Sequence, residues 1–287
     1  MIFLDACFSF KKFSGNLPPL PRINKYNLLR ESLIEPGRMF QSYEQIFSKR
    51  ADAYQKAMEL YPEARQREFQ LAVEHAGMNA AEVVCDAPSG GGYLRAYLPI
   101  DTSRYLAVET APDFTGHCPL GEHDSIIHSP LDNIGIEDNS VDVCINLAGS
   151  HHLEDKSRFF REATRILKPG GRLVLADAEK GTRVDRFLNE FVDRYNSMGH
   201  EGIFLDESTA AEITACGLEV HSDELIDFPW SFETRDDSGI FCKLLFGIDL
   251  ASPADVLAGT EEILGYMPGP GKVNLAWSLR YIVAIKS

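Results

Sequence analysis

Between Val83 and Leu94 the chain reads Val-Val-Cys-Asp-Ala-Pro-Ser-Gly-Gly-Gly-Tyr-Leu, an apolar run that ends in an acid and then passes through three consecutive glycines. This stretch restricts the fold more than any other. The apolar run has the length and character of a buried strand. Gly90, Gly91 and Gly92 allow backbone angles that a Cβ would forbid and let the main chain approach a ligand closely. A helix-compatible segment begins at Tyr93, so the pattern predicts a strand, a tight turn and a helix N-terminus offering N–H groups to a polar ligand. Glycine-rich turns also serve turn geometry alone, and the stretch needs company before it signifies a cofactor.

That company is a series of short apolar runs alternating with helical patterns. Strands are expected at Val83–Asp86, Tyr105–Glu109, Ser125–His128, Val141–Leu147, Arg172–Asp177, Leu218–Glu224 and Leu275–Lys286. Ser157–Leu167 is the best-patterned helix between them, stopped by Lys168-Pro169-Gly170-Gly171. Further helices are expected around Thr182–Ser197 and Glu207–Cys216. The alternation predicts an α/β fold: a doubly wound, mostly parallel seven-stranded sheet covered on both faces. Ahead of it, Ile46, Phe47, Ala51, Tyr54, Ala57, Met58 and Tyr61 recur near a 3.6-residue period, and Pro62 breaks the pattern before a second helix that ends at Gly77.

Three regions follow from this reading. Residues 1–38 are a loosely ordered tail rich in prolines, residues 39–80 a helical lid, and residues 81–287 the sheet domain. Within that domain, residues 227–272 are rich in Phe, Gly and Pro and are expected to be an insertion forming a substrate lid. The tail places apolar residues before its Lys11-Lys12 pair, the wrong order for a secretory signal. Met39 is a conceivable alternative start.

Composition narrows the function. The chain has 287 residues, 44% hydrophobic and 25% charged, which suits a globular protein with a sizeable core. A formal charge of −15 argues against a nucleic-acid partner and fits a small-molecule enzyme. Six cysteines without a Cys-x-x-Cys pair point to a reducing, cytoplasmic setting, and no apolar run is long enough to span a membrane. His117, Cys118, His123 and His128 match no common zinc spacing, so no metal is expected. Oligomeric state is not legible.

Four further signals stand behind the glycine turn. Glu109 closes the second strand roughly twenty residues after Asp86, where an acid can accept hydrogen bonds from ribose hydroxyls. Residues 134–143, reading Ile-Gly-Ile-Glu-Asp-Asn-Ser-Val-Asp-Val, lead into the fourth strand, and Ser150-His151-His152-Leu153 follows it. Then comes Arg165-Ile166-Leu167-Lys168-Pro169-Gly170-Gly171-Arg172-Leu173. In this order and spacing the signals resemble the class I S-adenosylmethionine-dependent methyltransferases, in the small-molecule branch that includes ubiquinone- and menaquinone-type enzymes. The resemblance covers about residues 80–180 with recognisable motifs.

The resemblance implies S-adenosyl-L-methionine as cofactor and methyl transfer to a small-molecule acceptor. It also implies roles. Asp86, Ala87, Ser89, Gly90 and Gly92 would wrap the methionine portion, and Glu109 would hold the ribose. Thr110 and Ala111 would lie beside the adenosine, and the turn through Ser129, Leu131 and Asp132 would contact adenine. Asn146 and Leu147 would line the methionine side. Two departures stand out: Pro88 replaces the usual first glycine of the loop and removes a donor, and Pro130 stands where an acid usually meets the adenine, with Asp132 as a substitute.

His151 and His152 are the candidate proton-handling groups, because imidazole titrates near neutral pH; capping and packing are their alternative roles. Trp230, Phe232, Phe241 and Phe246 are either an aromatic substrate wall or core. Tyr43, Phe47 and Tyr54 either close over the cofactor or simply pack. The rival functions are a nicotinamide oxidoreductase, a non-methylating relative such as a cyclase or regulatory module, and, against the charge, a nucleic-acid methyltransferase.

Overall fold

The computed structural model describes residues 43–116 and 118–287, with side chains from Arg50 onward. The tail 1–38, Met39, the Tyr43 and Phe47 side chains and His117 lie outside the described residues.

Two helices come first, α1 (Tyr43–Leu60) and α2 (Gln66–Ala76). Gly77 ends α2 in the left-handed conformation, at φ 51°, as the sequence pattern requires. The strands are β1 (Val83–Asp86), β2 (Arg104–Glu109), β3 (Ser125–His128), β4 (Val141–Leu147), β5 (Leu167–Asp177), β6 (Leu218–Phe232), β7 (Tyr266–Met267) and β8 (Val273–Lys286). The sheet order is β3-β2-β1-β4-β5-β8-β6, with β7 added against β8. From β3 to β5 the strands are parallel; β8 runs antiparallel to β5 and to β6.

Side-chain alternation builds two cores, one on each face of the sheet. Val84, Val143, Ile145, Val174 and Ala176 join one, together with Ala57, Phe69 and Phe241. Their neighbours Cys85, Cys144, Leu173 and Leu175 join the other, with Phe159, Phe160 and Ile166 of the helix Lys156–Ile166. The remaining helices are short: Pro112–Thr115, then Arg183–Arg186 and Asp193–Tyr195 with a π turn, Phe187–Val192, between them, and Thr209–Ala215. Arg235–Leu245 and Pro253–Ile263 fill the space between β6 and β7. In chain order these helices are α3 (Pro112–Thr115), α4 (Lys156–Ile166), α5 (Arg183–Arg186), α6 (Asp193–Tyr195), α7 (Thr209–Ala215), α8 (Arg235–Leu245) and α9 (Pro253–Ile263).

The structure departs from the sequence reading in three places. The sheet has eight strands rather than seven, because the two-residue β7 is too short to leave a pattern. β6 runs on to Phe232, so the segment expected to be an insertion from 227 opens as strand, paired with β8 from Leu218↔Lys286 to Phe232↔Val273. Pro229 sits inside β6 because the strand is at the sheet edge, where a missing donor faces no partner. The segment after Gly92 forms a 3-10 helix, Tyr93–Tyr97, not an α-helix. Among the described residues, no helix is long and apolar enough to cross a membrane.

The sheet order reverses where β1 lies between β2 and β4. That switch point opens a crevice beyond the carboxyl ends of β1 and β4, where ligands bind in such folds. On the same sheet, Trp230 of β6 and Trp277 of β8 stack with ring centroids 4.0 Å apart. Trp277→Ala should therefore lower stability by about 3–5 kcal/mol. Urea unfolding checks this: the midpoint should fall with an unchanged slope, and a shift below about 1 kcal/mol would show that the stack does not anchor β6.

Candidate functional site

The glycine turn is held almost wholly by the protein's own groups. Ala87 N–H donates to Ile145 O at 2.9 Å, Ser89 N–H to Val108 O at 2.9 Å, and Gly92 N–H to Ser89 O at 2.9 Å. Gly90 N–H donates to Glu109 Oε2 at 2.8 Å, and Ala111 N–H to the other oxygen, Oε1, at 2.8 Å. Glu109 has no exposed surface, so one buried carboxylate ties the turn after β1 to the turn after β2. Gly90 has φ +53° and a Cβ there would meet nothing within 4 Å, so its open face belongs to the cleft. At Gly92, with φ +71°, a Cβ would lie 2.1 Å from Cys118 Sγ. Pro88 does not plug the crevice. It rests on Gly149, where a Cβ would come within 2.3 Å of the proline ring.

The cleft at the switch point has about 510 Å³ of free space, counting its open mouth. Asp86, Pro88, Ser89 and Gly90 form its floor; Tyr54 and Arg65 close it from the N-terminal helices, and Leu147 and Ala148 from the end of β4. Arg65 was missed in the sequence because an Arg-x-x-Glu spacing near a helix start reads as surface charge. Here it is buried. Its Nε donates to Glu68 Oε2 at 2.9 Å, further contacts reach Glu68 Oε1 and the Tyr54 hydroxyl, and Trp230 Nε1 donates to Glu68 Oε2 at 2.8 Å. Although burial opposes it, the Glu68 carboxylate and Tyr54 hold the Arg65 guanidinium above its ordinary pKa.

The expected aromatic wall resolves in favour of packing: Trp230, Phe232 and Phe241 are at most 2% exposed and stack among themselves and with Phe246. The aromatic rings that do meet the cleft are Tyr54, Phe69, Tyr93 and Phe114.

Asp86 is 2% exposed and accepts a hydrogen bond from the Tyr105 hydroxyl at 2.6 Å. Burial pushes its carboxyl up to about 7, Tyr105 restrains the rise and Glu109 adds to it. Three other residues singled out in the sequence carry buried polar atoms without a hydrogen-bond partner among the described residues: Ser89 Oγ, Thr110 Oγ1 and Asn146 Oδ1. Asn146 spends its amide donor on Ala87 O at 2.7 Å. Such orphans cost free energy unless a ligand or water meets them, so the donor set fits a polar cofactor. Leu131 and Asp132 are not brought to the cleft: Leu131 is in the second core, and Asp132 lies at the surface with its Oδ2 3.3 Å from Arg158 Nη1.

His151 and His152 stand just beyond Ala148, in the 3-10 turn Ser150–His152. Asp177 at the end of β5 receives Ser150 Oγ at 2.6 Å, the His151 N–H at 2.9 Å and His151 Nδ1 at 2.8 Å. Although burial opposes it, His151 and Ser150 hold the Asp177 carboxyl below its ordinary range. His200, which carried no signal in the sequence because it is distant in the chain, packs against both rings with centroids 5.6 and 5.7 Å away. Burial, then the neighbouring His151, pushes His152 and His200 well below the usual imidazole range. Of the residues weighed for a metal in the sequence, Cys118 packs under Gly92.

The raised Asp86 makes a pH prediction. Between about pH 4 and pH 7 the unfolded chain has Asp86 ionised while the folded protein keeps the proton, so stability falls as pH rises, by at most about 1.4 kcal/mol per unit. Asp86→Asn cannot ionise and should lose this part of the decline. Urea unfolding of both proteins at several pH values measures it, and equal pH slopes would contradict the assignment.

Comparison with known proteins bears on the fold. Residues 85–175 match the family described as a methyltransferase domain. Malonyl-[acyl-carrier protein] O-methyltransferase of Yersinia pestis is 26% identical over 137 residues, 47% of this chain and 50% of that protein. The chain spans about half the length of the curated relatives it matches. Among solved structures, the [4+2]-cyclase SpnF aligns with a TM-score of 0.59 at 16% identity, covering 86% of this chain and 97% of SpnF. Geranyl diphosphate C-methyltransferase from Streptomyces coelicolor, solved with Mg2+, geranyl diphosphate and S-adenosyl-L-homocysteine, aligns with a TM-score of 0.55 at 14% identity, covering 82% and 84%. Residues 85–175 thus match a methyltransferase-domain family, and the chain shares the Rossmann-like fold of these solved structures.

Proposed function

We propose that the protein binds S-adenosyl-L-methionine in the switch-point cleft and transfers its methyl group to a small-molecule acceptor. The observation that carries this reading is the set of unpartnered atoms Ser89 Oγ and Thr110 Oγ1, on the turns that Glu109 joins, and Asn146 Oδ1 at the end of β4. Ser89, Gly90 and Asn146 would hold the methionine side, and Glu109 and Thr110 the nucleoside. Asp86, once a bound ammonium draws its carboxyl into the ionised form, and Arg65 both wall the cleft and suit an ammonium and a carboxylate on one amino-acid group. When bound, the cofactor supplies an activated methyl on a sulfonium centre. The protein's part is alignment and exclusion of water, for which Tyr54, Phe69 and Phe114 provide apolar cover.

The hydrogen-bond pattern of the turn disfavours a nicotinamide dinucleotide. A pyrophosphate site needs outward N–H groups at a helix N-terminus. Here Ser89, Gly90 and Gly92 spend theirs on the protein, and a short 3-10 helix follows. One other reading has an observation behind it: the fold likeness to SpnF leaves a non-methylating cyclase as an alternative. The net charge of −15 keeps nucleic acid out of the acceptor class, and a reducing, cytoplasmic setting remains the proposed location.

Mass spectrometry of metabolite extracts incubated with the protein and S-adenosyl-L-methionine tests the proposal. A product heavier by one CH2 should appear, and Glu109→Ala should slow its formation at least about tenfold, since charge-assisted hydrogen bonds contribute about 1.5–3 kcal/mol each. Products rearranged without a change in mass would replace methyl transfer with cyclase chemistry. An unchanged rate in Glu109→Ala would remove the cofactor site from this cleft.

A further inference from the structure

From the geometry we infer that His151, His152 and His200 form a site for one divalent cation of the zinc class, with a coordination position left open. Each imidazole offers one nitrogen, and the three nitrogens lie within 4.8 Å of one another. Nitrogens around a tetrahedral zinc at about 2.1 Å are roughly 3.4 Å apart, so the rings need only a modest contraction. All three residues are 6–7% exposed, which removes the site from bulk water.

Hydrogen bonds fix the chemical form of two ligands. The Asp177 carboxylate can only accept, so His151 Nδ1 carries the proton at 2.8 Å and the lone pair sits on Nε2. The same logic holds for His200. Asn189 Nδ2 donates to Gly202 O at 2.9 Å, and its Oδ1 accepts from Gly202 N–H at 2.7 Å, which settles the orientation of the amide. His200 Nδ1, 3.2 Å from that Oδ1, is therefore a donor, and Nε2 again keeps the lone pair. A carboxylate or carbonyl oxygen behind the distal nitrogen is the arrangement that orients metal-bound imidazoles.

Three imidazoles favour zinc, copper, nickel or ferrous iron over magnesium or calcium, which prefer oxygen ligands. Three protein ligands leave the fourth position of a tetrahedral ion for water or an oxygen of the acceptor. Arg50 and Lys156 add positive potential at His152. With Asp177 as the counter-charge behind His151, the local balance favours an anionic oxygen in that fourth position. The site begins just past Ala148 of the cleft wall, and it gives His151 and His152 a role besides the proton handling, capping or packing expected of them.

A Co2+ titration of the full, tag-free chain, stripped with chelator, tests the inference without any variant. One equivalent of Co2+ should bring up the intense visible ligand-field bands of a four-coordinate ion, and zinc should displace them. His200→Ala should lose the bands, Asp177→Asn should weaken Co2+ affinity roughly 10–100-fold, and His221→Ala, an exposed histidine elsewhere, should behave as the parent. Calorimetry with S-adenosyl-L-homocysteine reports in parallel whether each variant is folded at the cleft. Absence of the bands in the parent overturns the site. Bands that persist unchanged in His200→Ala, or in Asp177→Asn should His200→Ala fail to fold, place the metal elsewhere and also overturn it.

Discussion

A carboxylate with no exposed surface governs the architecture of the cleft. Glu109 accepts from Gly90 N–H and Ala111 N–H, one on each oxygen, and so fastens two turns that belong to different strands. A buried acid without such partners would cost several kcal/mol, a cost the two hydrogen bonds offset here. The pairing has a backbone consequence. Gly90 must turn its N–H toward Glu109, and it does so at φ +53°, where a side chain would be strained. With the turns fixed in this way, Ser89 Oγ, Thr110 Oγ1 and Asn146 Oδ1 are left with polar capacity and no partner among the described residues. Binding capacity therefore arises from how the loop is tied down.

The far end of the chain reaches the same cleft through a second buried acid. Glu68 receives Arg65 from the wall and Trp230 from β6. Trp230 stacks on Trp277 of β8, whose strand pairs with both β5 and β6. A guanidinium thus enters the wall already neutralised and held rigid, which lowers the entropy cost of ordering a ligand against it.

Much of this was legible in the sequence. Strands β1, β2 and β4 announced themselves because each is a short apolar run that is largely buried, and the glycine turn marked the crevice because only glycine reaches positive φ without strain. The long edge strand β6 was cut short at Glu224 because its outward face alternates polar residues and contains Pro229, both of which are tolerated only at an edge. Asp86, Ser89, Gly90 and Leu147 do meet in the cleft. Leu131 and Asp132 do not, since the turn after β3 buries its leucine and points its acid at Arg158. Arg65 and His200 were invisible for the same physical reason: each is defined by partners distant in the chain, and no local pattern records such a meeting.

The central claim is that the turn between β1 and the 3-10 helix receives a sulfonium nucleoside and not a dinucleotide. Parallel calorimetric titrations of the unaltered protein with S-adenosyl-L-homocysteine and with NADH test it most directly. The account predicts saturable one-to-one binding of the first and no heat of binding from the second. Saturable binding of NADH, with none of S-adenosyl-L-homocysteine, would contradict it.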